Sequence, residues 1–152
     1  MKQRNKIVLV TGGFDPIHSG HINLLKEASE LGEKLIVGVN SDKWLIRKKG
    51  LNFLPIEERC LIIENLKMVS KVMTWNDNDD TANVLIYEII KKLKSNEILL
   101  FANGGDRNKK STPELIKYKN NSKIDFIFGV GGDYKMNSSS KILETYKKKK
   151  IK

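Results

Sequence analysis

Residues 6–21 read KIVLVTGGFDPIHSGH, and this stretch indicates how the whole chain folds. Residues 6–10 form a short run rich in β-branched side chains, which is typical of a buried strand, and Gly12 and Gly13 end it in a tight loop. Apolar side chains then recur at helical spacing over residues 19–31, with Gly32 placed as a C-cap. The first unit is therefore predicted to be strand, glycine-rich loop and helix.

The alternation of strand and helix continues along the chain. Further strands are predicted at residues 34–39, 69–75, 97–102 and 124–130, and further helices over 81–93 and from Pro55, Thr112 and Ser138, the last ending at Tyr146. Such alternation favours parallel strands joined by right-handed crossovers. We therefore predict an α/β fold, a Rossmann-like three-layer domain with a five-stranded, mainly parallel sheet.

The length of 152 residues suits one domain with its own hydrophobic core. We expect that domain to span residues 1–146 and the lysine-rich residues 147–152 to form a frayed basic tail. No apolar run reaches the roughly 20 residues of a membrane-spanning helix, so we expect a soluble, cytoplasmic protein with no membrane partner. The single cysteine, Cys60, rules out an internal disulfide and is expected to be a small buried side chain.

The net charge of +10 would suit a polyanionic partner. Half of that charge comes from the lysines of the tail, however, and the chain lacks the aromatic signatures of common RNA-binding modules. A solvated basic surface is the simpler explanation, and we do not expect a nucleic acid to be the partner.

Four polar or glycine-rich loops follow predicted strands. They are residues 11–21, 40–49, 103–110 and 131–140. Because the carboxyl ends of parallel strands meet at one edge of a sheet, we expect these loops to converge on one ligand site. In the first of them His18 and His21 stand three residues apart at a helix start, which places both imidazoles on one face. Glycine amides, a helix N-terminus and two imidazoles can together hold phosphate oxygens, so this loop predicts phosphoryl or nucleotidyl transfer.

A zinc site is the rival interpretation of the two histidines. They are the only histidines of the chain, and the one cysteine lies in a distant, helix-like segment. A structural zinc site needs four such ligands. We therefore expect no metal to be held by a protein cage.

Residues 12–21, GGFDPIHSGH, resemble the GxFDxxHxGH signature of the HxGH nucleotidyltransferases, the cytidylyltransferase-like group. The resemblance continues, in the order that the family uses, with VNSD at 39–42, PIEER at 55–59, GGD at 104–106 and NSSSKI at 137–142. It implies an enzyme that transfers a nucleoside monophosphate from a nucleoside triphosphate to a small phosphorylated acceptor, releasing pyrophosphate without a covalent intermediate. It also implies Mg²⁺ with the triphosphate and is compatible with a homodimer.

The resemblance assigns roles to individual residues. His18 and His21 would stabilise the α-phosphate, and Lys48 or Lys49 would reach the phosphates of both substrates, with Arg47 as a competitor for that role. Asp15 would organise its loop, and Arg59 would lie at the base or phosphate end of the site. The implied nucleotide-binding residues are Thr11, Gly12, Gly13, Phe14, Asp15, His18, His21, Arg59, Gly105, Asp106, Asn137, Ser138, Ser139 and Ser140. The implied acceptor-binding residues are Asp42, Arg47 and Arg107.

Two kinds of donor and acceptor remain open at the level of sequence. The motif set looks most like the sugar-phosphate adenylyltransferases that act on heptose 1-phosphate, which implies ATP as donor. The alternative is a CTP-dependent glycerol-3-phosphate or polyol-phosphate cytidylyltransferase, but those proteins often carry an arginine-containing segment where residues 131–140 read GGDYKMNSSS. Arg107 stands where the first group would have a tyrosine. A nucleotide-binding module without turnover is the alternative of a different class.

Overall fold

Five strands form one sheet in a computed structural model that describes residues 3–105, 107–132 and 138–151. The strands are β1 (Asn5–Gly12), β2 (Lys34–Val39), β3 (Lys71–Met73), β4 (Glu97–Gly104) and β5 (Ile124–Val130). They lie in the order β3-β2-β1-β4-β5, and every neighbouring pair is parallel. The chain passes from one side of β1 to the other after β3, so the switch point, where open α/β sheets bind ligands, lies beside β1.

Six helices complete the described part of the chain. They are α1 (Ser19–Ser29), α2 (Asp42–Lys49), α3 (Ile56–Glu64), α4 (Asn83–Lys92), α5 (Pro113–Tyr118) and α6 (Ser139–Lys150). Within the described ranges no helix is long and apolar enough to cross a membrane.

Strand β1 is buried on both of its faces, as a central parallel strand should be. Val8 and Val10 pack into one apolar cluster with Leu25 of α1, whereas Ile7 and Leu9 pack into a second cluster with residues of α4. The two clusters lie on opposite faces because alternate side chains of a strand point in opposite directions. The predicted α/β fold with a five-stranded parallel sheet is confirmed.

Several predicted boundaries differ from the structure. Strand β3 covers only Lys71–Met73 of the predicted residues 69–75, since it is an edge strand that pairs with β2 alone. The predicted end of the last helix at Tyr146 was wrong, because α6 continues to Lys150. Lysine has a high helix propensity, and its positive charge interacts favourably with the negative, C-terminal end of the helix dipole.

The predicted C-cap at Gly32 was also wrong. Helix α1 ends at Ser29 with Glu30 as its cap. A side chain at position 32 would clash with the carbonyl of Lys6, so this glycine permits close packing against β1. The glycine that does cap a helix is Gly50, which ends α2 in the left-handed conformation with φ 80° and donates its N–H to Ile46.

Candidate active site

The four predicted loops do meet at the carboxyl edge of the sheet. They surround an open cleft of about 340 Å³ beside β1, β4 and β5. The sequence-predicted residues that line it are Thr11, Gly12, Phe14, His18, His21, Lys49, Gly105, Ser138, Ser139 and Ser140. Residues Gly13, Asp15, Asp42, Arg47, Lys48, Arg59 and Arg107 are described but do not line it, and Asp106 and Asn137 lie outside the described residues.

His18 is the N-cap of α1, and its Nδ1 accepts the N–H of Gly20 at 3.0 Å. A neutral imidazole that accepts at Nδ1 must carry its proton on Nε2, so Nε2 is left as the donor of this ring. The ring of His21 stacks on it with centroids 3.8 Å apart and contacts Phe14 edge-on at 5.0 Å. Phe14 is buried and has φ 51°, a conformation that non-glycine residues rarely adopt.

Both histidines are neutral at neutral pH. Burial, and after it the nearby His18 and Lys49, together lower the pKa of His21 to about 3. Burial and then the charge of Lys49 also hold the pKa of His18 below its usual value of 6.5. The imidazoles therefore offer N–H donors without net charge, and among the residues that the structure describes Lys49 is the cation that lines the cleft.

The start of α6 also lines the cleft. Ser138 is its N-cap and accepts the N–H of Lys141 at 3.1 Å, while Ser139 donates its hydroxyl to the carbonyl of Pro16 at 3.0 Å. The positive end of the helix dipole and the first N–H groups of a helix attract phosphate oxygens. The contact with Pro16 fixes this helix start against the histidine loop.

Of the three consecutive cations of α2, the structure brings only Lys49 to the cleft. Arg47 donates to the carbonyl of Asp77 at 2.8 Å and pairs with Asp80 at 3.0 Å. Lys48 pairs with the same Asp80 carboxylate at 3.3 Å. Successive helical residues point about 100° apart, so the three could not share one direction. Arg47 and Lys48 are held by Asp80 and do not line the cleft.

Arg59, which the resemblance places at the base or phosphate end of the site, does not line the cleft. Arg59 is 1% exposed. It donates to the carbonyls of Leu54, Gly13 and Asn40 at 2.9, 2.8 and 2.7 Å. Its remaining partner is Asp42, at 2.6 Å. A guanidinium with so many donors can join several loop carbonyls that would otherwise be buried without partners.

Asp15 has the loop-organising environment that the sequence suggested. It is 2% exposed, and its two carboxylate oxygens accept the N–H groups of Phe53 and Leu54 at 2.5 and 2.7 Å. Arg107, predicted to bind the acceptor, instead donates to Asn103 at 3.1 Å and lies over the ring of Phe101.

Sequence reasoning missed Asp77, which follows the predicted strand at residues 69–75. This aspartate is buried and accepts from the side chain of Asn40 at 3.0 Å and from the N–H and hydroxyl of Ser41 at 2.8 and 2.6 Å. It thereby fixes the end of β2 and the N-cap of α2, the helix that carries Lys49. No local pattern in the sequence reveals this, because the partners lie 36 and 37 positions away.

The cytidylyltransferase-like family matches residues 9–152. The FAD synthase of Thermococcus sibiricus is 40% identical over 112 residues, which cover 71% of this chain and 69% of that protein. The bifunctional protein HldE of Cronobacter sakazakii is 37% identical over 120 residues, which cover 69% of this chain but 24% of HldE.

Solved structures are also similar to the chain. The lipopolysaccharide core biosynthesis protein of Thermoplasma volcanium matches with a TM-score of 0.59 and 25% identity, over 86% of this chain and 99% of that one. The bifunctional NMN adenylyltransferase/ADP ribose pyrophosphatase of Francisella tularensis matches with a TM-score of 0.64 and 17% identity, over 93% of this chain and 41% of that one. The second likeness shows a shared fold alone.

Proposed function

The chain belongs to the cytidylyltransferase-like family of nucleotidyltransferases, and on this premise we propose that it transfers AMP from ATP to a small phosphorylated acceptor, releasing pyrophosphate. The observation that supports this reaction best is the placement of the stacked pair His18 and His21, Lys49 and the start of α6 around one cleft. All of these groups can bind phosphate oxygens.

In the proposed reaction an oxygen of the acceptor's phosphate attacks the α-phosphorus of ATP in line. A new bond forms between that oxygen and the α-phosphorus, and the bond from the α-phosphorus to its bridge with the β-phosphate breaks. Pyrophosphate leaves with the electron pair. The attacking phosphate is already ionised, so no residue has to remove a proton from it.

The residues of the cleft stabilise charge in this scheme. His18, with its Nε2–H, donates to the α-phosphate, and the ammonium of Lys49 neutralises charge that builds on the phosphates. The N–H groups at the start of α6 and the hydroxyls of Ser138, Ser139 and Ser140 hold the β- and γ-phosphates. Mg²⁺, which prefers phosphate and water oxygens, would arrive with the triphosphate and stabilise the leaving pyrophosphate.

Two observations support ATP as the donor. Residues 131–140 lack the arginine that the cytidylyltransferases often carry there. The FAD synthase that resembles this chain has a product with an adenine nucleotide in it. CTP with glycerol 3-phosphate or another polyol phosphate is the alternative pair.

Two classes of acceptor have support. The order of the motifs and the likeness to HldE favour a heptose-like sugar 1-phosphate. The likeness to FAD synthase, which extends over most of both chains, favours FMN, because FAD is FMN joined through its phosphate to AMP.

The reaction is tested by measuring pyrophosphate release with MgATP or MgCTP and a panel of acceptors. The panel contains heptose, hexose, glycerol, ribitol and choline phosphates, and FMN. Release with ATP supports the proposal, and release only with CTP and a polyol phosphate replaces its donor and acceptor. Nucleotide binding without release from any pair would contradict the enzymatic proposal and indicate a binding module.

A further inference from the structure

Two side chains of α1 bind both backbone groups of Gly131, the first residue after β5. The side-chain amide of Asn23 donates to the carbonyl of Gly131 at 3.0 Å, and the carboxylate of Glu27 accepts the N–H of Gly131 at 2.7 Å. Asn23 and Glu27 stand four positions apart, so they lie on one face of the helix. Gly131 is more than 100 positions away from both of them in the chain. We call these two hydrogen bonds the Gly131 clamp.

The end of β5 is rich in glycine and needs such support. Gly129, Gly131 and Gly132 have φ values of 75°, 87° and 74°, all in the left-handed region. Glycine enters this region without steric cost, but it also has more conformational freedom to lose on folding than any other residue. A segment with this freedom is ordered by the contacts that it makes. The clamp supplies two of them from a regular helix.

The clamp joins two parts of the cleft wall. Leu24, which stands between the clamp residues in α1, lines the cleft, and so do Gly104 and Gly131. These residues are closely packed, since a side chain at position 131 would come within 3.3 Å of the Cα of Leu24 and one at position 104 within 2.7 Å of its Cδ1. Helix α1 also carries His21 and is capped by His18. The clamp therefore fixes the wall after β5 relative to the helix of the two histidines.

Gly131 lies away from the groups of the cleft that attract phosphate. Those groups surround the end of β1, because the histidine loop follows β1 directly and Ser139 donates to Pro16 of that loop. Strand β4 separates β5 from β1. Neighbouring strands lie about 4.8 Å apart, so Gly131 is roughly 10 Å from β1. The described residues that line this part of the cleft carry no charge, and they are Leu24, Gly104, Gly105, Val130, Gly131 and Gly132.

We propose that Asn23 and Glu27 are positioning residues for the nucleotide, which act through Gly131 and not by touching a substrate. The inference rests on the proposed nucleotidyl transfer, in which the phosphates lie at the histidines and at the start of α6, and the nucleoside lies in the uncharged part of the cleft. The clamp sets the separation of Leu24 and Gly131 and so determines how closely this part fits the nucleoside. Its loss should therefore weaken nucleotide binding more than it slows turnover.

The test is calorimetric titration of the protein with MgATP, and in parallel with MgCTP, in the absence of an acceptor. Glu27→Ala and Asn23→Ala should each raise the Kd of the bound nucleotide about 5-fold, which corresponds to about 1 kcal/mol, the usual net contribution of one hydrogen bond. In pyrophosphate release the KM for the nucleotide should rise by a similar factor. The kcat should change less than about 2-fold, because the histidines and Lys49 stay in place.

The sign of the effect separates the clamp from simple electrostatics. Removal of Glu27 makes the protein more positive, so charge alone should tighten the binding of an anionic nucleotide, whereas loss of the clamp should weaken it. Glu30→Ala is the matched control, since Glu30 is exposed on the same side of the chain's charge balance and does not line the cleft. It should not weaken binding.

Two conservative variants test the hydrogen bonds themselves. Glu27→Gln keeps an oxygen that accepts the N–H of Gly131, so its Kd should return to within about 2-fold of the wild-type value. Asn23→Asp keeps the size of the side chain but cannot donate to the carbonyl of Gly131, so it should bind nucleotide as weakly as Asn23→Ala. Hydrogen exchange of the Gly131 amide checks the clamp without any ligand. That exchange should be about 10-fold faster or more in Glu27→Ala than in wild-type protein.

Three results would overturn the inference. The first is an equal nucleotide Kd in wild-type protein, Glu27→Ala and Asn23→Ala. The second is a fall in kcat in these variants at constant Kd, and the third is the same weakening of binding in Glu30→Ala. Wild-type protein that binds neither nucleotide would contradict the proposed function as well, and this failure differs from the first result, in which the wild-type protein binds. Nucleotide binding that responds as expected, without pyrophosphate release, supports the clamp and contradicts only the proposed reaction.

Discussion

The guanidinium of Arg59 donates a hydrogen bond of 2.8 Å to the carbonyl of Gly13, 46 positions earlier in the chain. This bond joins helix α3 to the loop that carries both histidines. The same side chain also binds the carbonyls of Leu54 and Asn40. Arg59 thus supports the site from within the protein, without lining the cleft.

Replacement of Arg59 by methionine should lower the free energy of unfolding by about 3 kcal/mol or more, because buried carbonyls would lose their donors. Urea denaturation measures this loss. Asp42→Asn is the control, since the amide keeps an acceptor oxygen for Arg59 and should cost about 1 kcal/mol. Equal stability of Arg59→Met and wild-type protein would contradict the supporting role.

Replacement of His18 should have two separable effects, one on turnover and one on the free energy of unfolding. His18→Ala removes both the Nε2–H donor and the cap of α1, so turnover should fall about 100-fold or more and the free energy of unfolding by about 1 kcal/mol. His18→Asn keeps an oxygen that can accept the N–H of Gly20, so stability should largely return while turnover stays low. Pyrophosphate release and urea denaturation distinguish these effects. Near-wild-type turnover in both variants would exclude His18 from the chemistry.

Lys49 and its neighbour Lys48 allow a matched pair of substitutions, with Lys48 as the control. Lys49→Met removes the charge that lowers the pKa of His18 and His21, so both pKa values should rise, and turnover should fall about 100-fold. Lys48→Met should change neither, because Lys48 pairs with Asp80. Titration of the imidazole protons by NMR checks the pKa values. Equal shifts in the two variants would show that the assignment of Lys49 is wrong.

His21 should make stability depend on pH. Its pKa is about 3 in the folded protein against 6.5 ordinarily. Between these values the unfolded chain binds a proton that the folded chain does not, so the free energy of unfolding falls as the pH drops below about 6.5. His21→Gln should reduce that slope by up to about 1.4 kcal/mol per pH unit. Urea denaturation at pH 7 and pH 5 tests this, and identical slopes for both proteins would contradict it.

The helices and strands that were predicted correctly are those whose formation depends on residues adjacent to one another in sequence. The apolar runs at residues 6–10 and 34–39 do form β1 and β2, and the helix predicted from Ser138 does begin there, with Ser138 as its cap. Boundaries that depend on distant contacts were less accurate. Gly32 looked like a cap but serves close packing against Lys6, and α6 continues beyond Tyr146.

The sequence by itself determined the α/β fold, the gathering of the loops at one edge of the sheet and the pairing of His18 with His21, because these follow from periodicity and local spacing. Only the tertiary structure decided which cation enters the cleft and what Arg59 binds. Lys49, rather than Arg47 or Lys48, faces the histidines because Asp80, more than 30 positions away, binds the other two. The partner that a charged side chain binds depends on the direction in which it points and on how deeply it is buried. Both are set only when distant segments of the chain pack around it.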